Sequence, residues 1–188
     1  MKKVIVLLAD GFEDVEAITP IDYLRRAGLE VTVASITKSL TVTSRWSDLK
    51  MIAGATLSEQ LSLYKEQKDW DAVILPGGIP GATNLAASEE VNTLLNEMAI
   101  TGKLICAICA SPAVVLAPLG LLAGKKYTCY PRMEERVTDG EWSQDRVVVD
   151  GNLITSRGAG TAGEFAIAII KKLLDEATAQ KIADAVLL

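Results

Sequence analysis

The segment Leu104-Ile105-Cys106-Ala107-Ile108-Cys109-Ala110-Ser111-Pro112 carries the residues best suited to chemistry. An apolar run leads to a thiol, and a proline follows at a position it favours in the first turn of a helix. Small residues, Ala107 and Ser111, lie two positions either side of Cys109. That is the steric requirement of a nucleophile elbow, a strand-to-helix turn too sharp for large neighbours. Such a turn brings its nucleophile to the carboxyl end of the strands, where open α/β sheets bind ligands. It also sets the sulfur at a helix N-terminus, whose partial positive charge favours thiolate. The competing reading of Cys109 is a plain buried cysteine, the usual fate of a free thiol; the strand-Cys-small-small-Pro context favours the functional one. Cys106 and Cys109 also form C-x-x-C, a spacing shared with dithiol redox pairs. Within a strand, an offset of three puts side chains on opposite faces, so Cys106 is read as core. Cys129 is given no role.

The chain has three cysteines and no histidine. The odd cysteine count, in a chain with no export signal, points to free thiols. The missing histidine excludes a self-contained Cys-His or Ser-His-Asp triad and the common His-containing zinc sites; no metal or other cofactor is expected. An acid or base for Cys109 must then be Asp, Glu, Lys or Tyr. Glu16 lies about two turns beyond the first strand, which is expected to neighbour the Cys109 strand. Its position alone allows two readings: a surface acid favoured by the helix dipole, or a carboxyl buried beside sulfur, kept protonated and donating a hydrogen bond. Pro76-Gly77-Gly78 ends another strand, and paired glycines let backbone N–H groups face an oxyanion, although an ordinary turn has the same sequence.

The elements that must position these groups follow from the pattern. Lys3 to Ala9 reads as a buried strand, Glu13, Asp14 and Glu16 as acids in the first turn of a helix running to about Ala27, and Glu30 to Ser35 as the next strand. Pro20 should kink or restart that helix, and Gly28 should end it. Residues 38–55 suggest a small antiparallel hairpin at the sheet edge, and Ser58 to Lys68 a weak helix. Asp71 to Leu75 and Leu104 to Ile108 read as buried strands. Ser88 caps a helix to about Thr101, and a short helix follows Pro112. Residues 127–150 hold short strands and turns, and Leu153 to Ser156 is a last strand. Helices follow over Thr161 to Leu174 and from Asp175 onward. Strands alternating with helices predict an α/β fold with a mainly parallel sheet covered on both faces. With 188 residues and no linker or repeat, one domain over 1–188 is expected.

Composition sets further bounds. Net charge is −5 with no basic run, which disfavours nucleic acid and anionic membranes as partners. The N-terminal apolar run is too short for a signal peptide, and no stretch reaches the ~20 residues of a membrane span; a cytoplasmic location is expected. A mean hydropathy of +0.27 is high for a soluble chain and suits an oligomer as well as a dense core.

These residues resemble the DJ-1/PfpI (ThiJ/PfpI) superfamily, close to its DJ-1 branch. The resemblance rests on Leu8-Ala9-Asp10-Gly11-Phe12-Glu13-Asp14-Val15-Glu16, Arg25-Arg26-Ala27-Gly28, Leu75-Pro76-Gly77-Gly78, the Ala107 to Pro112 segment, and Thr155-Ser156-Arg157-Gly158-Ala159-Gly160-Thr161. It implies a flavodoxin-like three-layer sandwich, usually homodimeric. Cys109 would be the oxidation-prone nucleophile and Glu16 its protonated partner. The backbone amides of Gly77, Gly78 and Ala110 would form an anion pocket, with Arg26 and Arg45 near it at the dimer interface. The chain departs from the family in two places. Ser111 stands where glycine is usual, and Tyr130, before Pro131, stands where many members carry histidine. Tyrosine there donates one hydrogen bond but is no proton shuttle near neutrality. Ala110 occupies the position of the histidine that the protease-like branch places after its nucleophile, so a thiol protease or amidotransferase is disfavoured. The resemblance implies action on small reactive carbonyls such as methylglyoxal, or on glycated thiols and amines, in the manner of a glyoxalase or deglycase. The alternative it implies is a non-enzymatic oxidative-stress sensor or redox-regulated chaperone working through a Cys109 sulfinate.

Overall fold

The computed structural model describes the backbone of residues 1–67 and 70–188, and all side chains outside 64–69. Lys68, the expected end of the weak helix, lies outside the described residues. The first apolar run forms β1 (Lys3–Leu8), buried along nearly its whole length. It leads into α1 (Asp14–Arg26), whose N-cap Glu13 accepts a hydrogen bond from the Glu16 N–H at 2.7 Å. Gly28, at φ +82°, ends the helix, and the Leu29 N–H closes on the Leu24 carbonyl at 3.1 Å. Pro20 was expected to kink or restart α1, yet the helix runs unbroken across it. The proline removes a single N–H, and it is buried on the same stripe as Ala17, Ile21 and Leu24, which packs the flanking turns.

After β2 (Glu30–Ser35), the strands β3 (Thr41–Thr43) and β4 (Lys50–Ile52) form the antiparallel hairpin. It is a separate two-stranded sheet rather than part of the main sheet's edge. The Gly11 N–H donates to the Thr43 carbonyl and the Arg45 N–H to the Phe12 carbonyl, both at 2.8 Å, so the hairpin is fastened to the β1–α1 loop. The edge of the main sheet is instead β5 (Ala55–Thr56). Next come α2 (Leu57–Gln67), β6 (Ala72–Leu75), α3 (Gly81–Ala87), α4 (Glu89–Ile100) and β7 (Leu104–Ile108). No local signal announces α3, which is short and has no side-chain cap. Ser88 caps α4 as expected, accepting from the Val91 N–H at 3.3 Å. The remaining elements are β8 (Lys126–Tyr127), β9 (Glu141–Trp142), β10 (Val147–Asp150), β11 (Leu153–Ser156), α5 (Ala162–Leu173) and α6 (Glu176–Ala185).

The main sheet runs β10-β11-β7-β6-β1-β2-β5, parallel except for β10. One face carries Ile5, Leu7, Val73, Leu75 and Ile105 against α2 to α4; the other carries Val6, Leu8, Ile74, Cys106 and Ile154 against α1, α5 and α6. This is the expected three-layer α/β sandwich, and each fully buried Leu or Ile in it contributes about 1.5–3 kcal/mol. One expectation is corrected: β1 does not neighbour β7, because β6 lies between them. Leu75 of β6 pairs with Ala107 of β7, so the turn after β6 stands level with the turn after β7. Among the described residues, no helix is long and apolar enough to cross a membrane.

Candidate active site

Cys109 follows β7 directly and has a backbone φ of +63°. A side chain in that left-handed region costs roughly 1–2 kcal/mol, so neighbouring structure must hold it there. Its N–H donates to the Ser156 carbonyl at 2.9 Å, and its own carbonyl accepts from the Tyr130 N–H at 2.8 Å. The buried Ser111 hydroxyl donates to the Pro76 carbonyl at 2.6 Å, tying the elbow to the turn after β6. Serine in place of the usual glycine therefore supplies a bond between two loops of the site. Cys106 faces the core as read, and Cys129 is also buried, whereas Cys109 is only partly so.

Glu16 projects from the first turn of α1 and is 1% exposed, which decides between its two readings. Its carboxyl is hydrogen-bonded to the Cys109 thiol and to the Ala159 N–H, and Oε2 accepts from the Gly77 N–H at 2.9 Å. Gly77 thus gives its amide to Glu16 rather than to an anion pocket; this follows from β6 lying between the strands that bring Glu16 and Cys109. The N–H groups of Gly78 and Ala110 do point at the Cys109 sulfur. A Cβ on Gly77 would stand 2.6 Å from both the Cys109 Cβ and Glu16 Oε2. Gly77→Ala is accordingly expected to cost about 1–3 kcal/mol by overpacking, measured by thermal denaturation beside Gly160→Ala, where the added methyl meets nothing within 4 Å. Equal melting temperatures for the two variants would contradict this packing.

The electrostatics follow from burial. Burial, and next the Glu13 charge, push Glu16 up to about 7, against the hydrogen bonds from Cys109, Gly77 and Ala159. Burial, followed by the Glu16 charge, also raises the Cys109 thiol, against the Gly78 and Ala110 amides. The helix dipole was expected to favour thiolate, but Pro112–Leu116 is a single π-helical turn, too short to supply a full macrodipole. What favours thiolate here is the pair of amides, together with a proton on Glu16. With that proton in place, the carboxyl O–H faces sulfur and the repelling charge is gone.

The pair opens into a cavity of about 300 Å³. Arg45 and Tyr130 line it, as do Glu13, Trp46, Ile79, Met133 and Ala159. Arg26 does not: it pairs with Asp22 at 2.8 Å on the surface. It lies ten residues beyond Glu16, about 15 Å along the helix at ~1.5 Å per residue. Sequence reasoning missed Glu13, Trp46, Ile79, Met133 and Ala159 as site residues. Ala159 lay within a quoted motif and Ile79 beside Gly77-Gly78, but Trp46 and Met133 carry no local signal. Among the described residues, no cluster of His, Cys, Asp and Glu could hold a metal.

The sequence profile of the DJ-1/PfpI family matches residues 2–172. Protein DJ-1 homolog B of Arabidopsis thaliana is 45% identical over 170 residues, which cover 90% of this chain. The chain spans less than half the length of the Arabidopsis homologs B and A, 37% and 46% respectively. A glutathione-independent glyoxalase of Caenorhabditis elegans is 36% identical over 172 residues, covering 90% of this chain and 87% of that protein. The structure of oxidized Toxoplasma gondii DJ-1 superposes with a TM-score of 0.93 at 37% identity, covering 100% of this chain and 98% of that one.

Proposed function

Because the chain belongs to the DJ-1/PfpI family, in its DJ-1-like branch, we propose that it is a cofactor-independent enzyme converting a reactive α-ketoaldehyde such as methylglyoxal to a hydroxy acid through Cys109 and Glu16. The observation that carries this reading is the hydrogen bond between the Cys109 thiol and a Glu16 carboxyl whose pKa is pushed up to about 7. In the proposed reaction the Cys109 thiol leaves its proton on Glu16 as the sulfur adds to the aldehyde carbon, and the resulting alkoxide takes that proton from Glu16 to give a hemithioacetal. The Glu16 carboxylate then removes the hydrogen on that carbon and returns it to the neighbouring one through an enediol. A lactoyl thioester on Cys109 results; water hydrolyses it, releasing lactate and restoring the thiol. Methylglyoxal and water thus give lactate, and no outside oxidant or reductant enters the balance. The Gly78 and Ala110 amides support developing negative charge beside the sulfur. Arg45 and Tyr130 would contact the carbonyl from the cavity wall. With a glycated thiol or amine, the Cys109 sulfur would displace the thiol or amine from its hemithioacetal or hemiaminal carbon, the leaving group taking a proton from Glu16, and the same bound hemithioacetal would make the protein a deglycase. The glyoxalase relative supports the reaction class.

Protein incubated with methylglyoxal, without added thiol, is expected to yield lactate by proton NMR. Methylglyoxal left unchanged by the folded protein would overturn the reading.

A second reading, an oxidative sensor or redox-regulated chaperone, is favoured by one observation: Cys109 is the partly accessible cysteine, and two amides face its sulfur. Two peroxide molecules, each reduced to water, would take the thiol through sulfenate to sulfinate. The oxidized relative supports this chemistry. After mild peroxide, peptide mass spectrometry is expected to find Cys109 oxidised ahead of Cys106 and Cys129; equal oxidation would count against it.

The working form proposed is a homodimer, supported by exposed apolar side chains on α1 and the hairpin, among them Ile18 and Ile52. Light scattering is expected to give twice the 20.1 kDa chain mass. A monomer would leave Arg26 without any part in the site.

A further inference from the structure

One wall of the cavity over Cys109 comes from outside the main sheet and its helices: Arg45 and Trp46, from the turn joining β3 to β4. Turns of this kind on a two-stranded hairpin are ordinarily mobile. This one is fastened to the start of α1. The Thr43 N–H donates to Asp10 Oδ1 at 2.8 Å. The Asp14 carboxylate then takes up the tip, accepting from the Ser47 hydroxyl through Oδ1 and from the Trp46 N–H through Oδ2 at 3.4 Å. The Ser44 and Ser47 hydroxyls lie 3.2 Å apart, so the turn is cross-braced on the same carboxylate. Trp46 is 73% exposed, and the Arg45 guanidinium sits 4.9 Å from its ring centroid, a cation–π contact that joins the two side chains. Asp14 is two residues before Glu16 on α1, so one helical turn carries both the acid and the anchor of the wall.

The cavity is also larger than a three-carbon dicarbonyl requires. Five heavy atoms fill roughly 150 Å³ at the liquid volume share of a water molecule each, against about 300 Å³ available. The remaining space is lined by Trp46, Ile79, Tyr130 and Met133. Aromatic faces and a thioether favour a flat apolar group through offset stacking and sulfur–aromatic contact.

We propose that Asp14 is a positioning residue: by holding the β3–β4 turn against α1 it fixes Trp46 and Arg45 as a cavity wall, and this wall selects carbonyl compounds bearing a planar apolar substituent over methylglyoxal. The selectivity rests on the carbonyl chemistry proposed for Cys109; the wall itself does not.

Steady-state kinetics with phenylglyoxal and methylglyoxal test the selectivity. Wild type is expected to favour phenylglyoxal in kcat/KM by about tenfold or more, as an apolar pocket discriminates. Asp14→Ala is expected to cut that preference about tenfold, mainly through KM. Asp14→Asn, which keeps an acceptor oxygen, recovers part of it, a rescue that a merely structural role would not produce. Trp46→Ala should lose the preference too, and it carries the test if Asp14→Ala does not fold. A wild type without preference, or a preference unchanged within twofold in both alanine variants, would overturn the proposal. Alkylation of Cys109 by N-phenylchloroacetamide against chloroacetamide, followed by mass spectrometry, reads the wall without turnover. If no carbonyl is consumed but wild type favours the phenyl reagent and Asp14→Ala does not, the enzymatic reading fails and the wall stands. Equal labelling by the two reagents in wild type would remove the wall whatever the turnover.

Discussion

Cys109→Ser is expected to lower methylglyoxal turnover by at least about a thousandfold, the scale on which removing a covalent nucleophile acts. A serine hydroxyl at the same elbow is a far weaker nucleophile, and Glu16, being protonated when the site is ready, is not available as its base. Glu16→Gln is expected to cost about 10²–10⁴-fold, the range for loss of a positioned acid–base group. The double variant should lose little more than Cys109→Ser alone, because the two side chains act on one proton. Cys106→Ser, in the core face of β7, should leave turnover within a few-fold of wild type if the fold survives. Lactate production by Cys109→Ser within tenfold of wild type would sink the covalent route, and a fully additive double variant would argue against a shared proton.

Glu16 should also set the pH dependence of folding. Its carboxyl rises from 4.5 to about 7 in the folded chain, so between those values the folded state binds more protons than the unfolded one. Stability is therefore fullest below about pH 4.5 and is lost as pH rises toward 7. The loss from this group is about 3 kcal/mol, at ~1.4 kcal/mol for each pH unit between the two values. Glutamine at position 16 keeps an acceptor for the Gly77 N–H and carries no charge to bury. Glu16→Gln is thus expected to melt above wild type at pH 8.5 by about 6–12 °C, at ~2–4 °C per kcal/mol for a chain of this size, with the gap closing toward pH 4.5. Calorimetry at several pH values measures it. A gap that does not change with pH would show that Glu16 is ionised at no extra cost, and the shared proton would go with it.

What could be read in the sequence was what local chemistry determines. The elbow around Cys109 was legible because small neighbours and a proline are a steric demand within six residues. Cys106 was placed correctly by strand parity, and α4 by Ser88 and the acids behind it. The burial of Glu16 was not legible, since either of its readings puts an acid in the first turn of a helix. Strand order escaped as well. Only when β6 is seen between β1 and β7 does it become clear that Gly77 must stand beside the Glu16–Cys109 pair and spend its amide on the carboxyl, a contact across 61 positions of sequence. The hairpin was found as a hairpin, but its attachment to the β1–α1 loop depends on pairings such as Asp14 with Ser47, which no periodicity announces. Pro20 shows the opposite case, in which a strong local signal gave way to packing.

The nucleophile's peptide is held by partners that all lie later in the chain: the Ser156 carbonyl on one side and the Tyr130 N–H on the other. On a ribosome, Cys109 therefore emerges before either of them, and until both follow its peptide lacks the two backbone hydrogen bonds that hold it in the complete fold. The geometry proposed to make this thiol reactive is therefore complete only once Ser156, on the last strand of the sheet, has joined it.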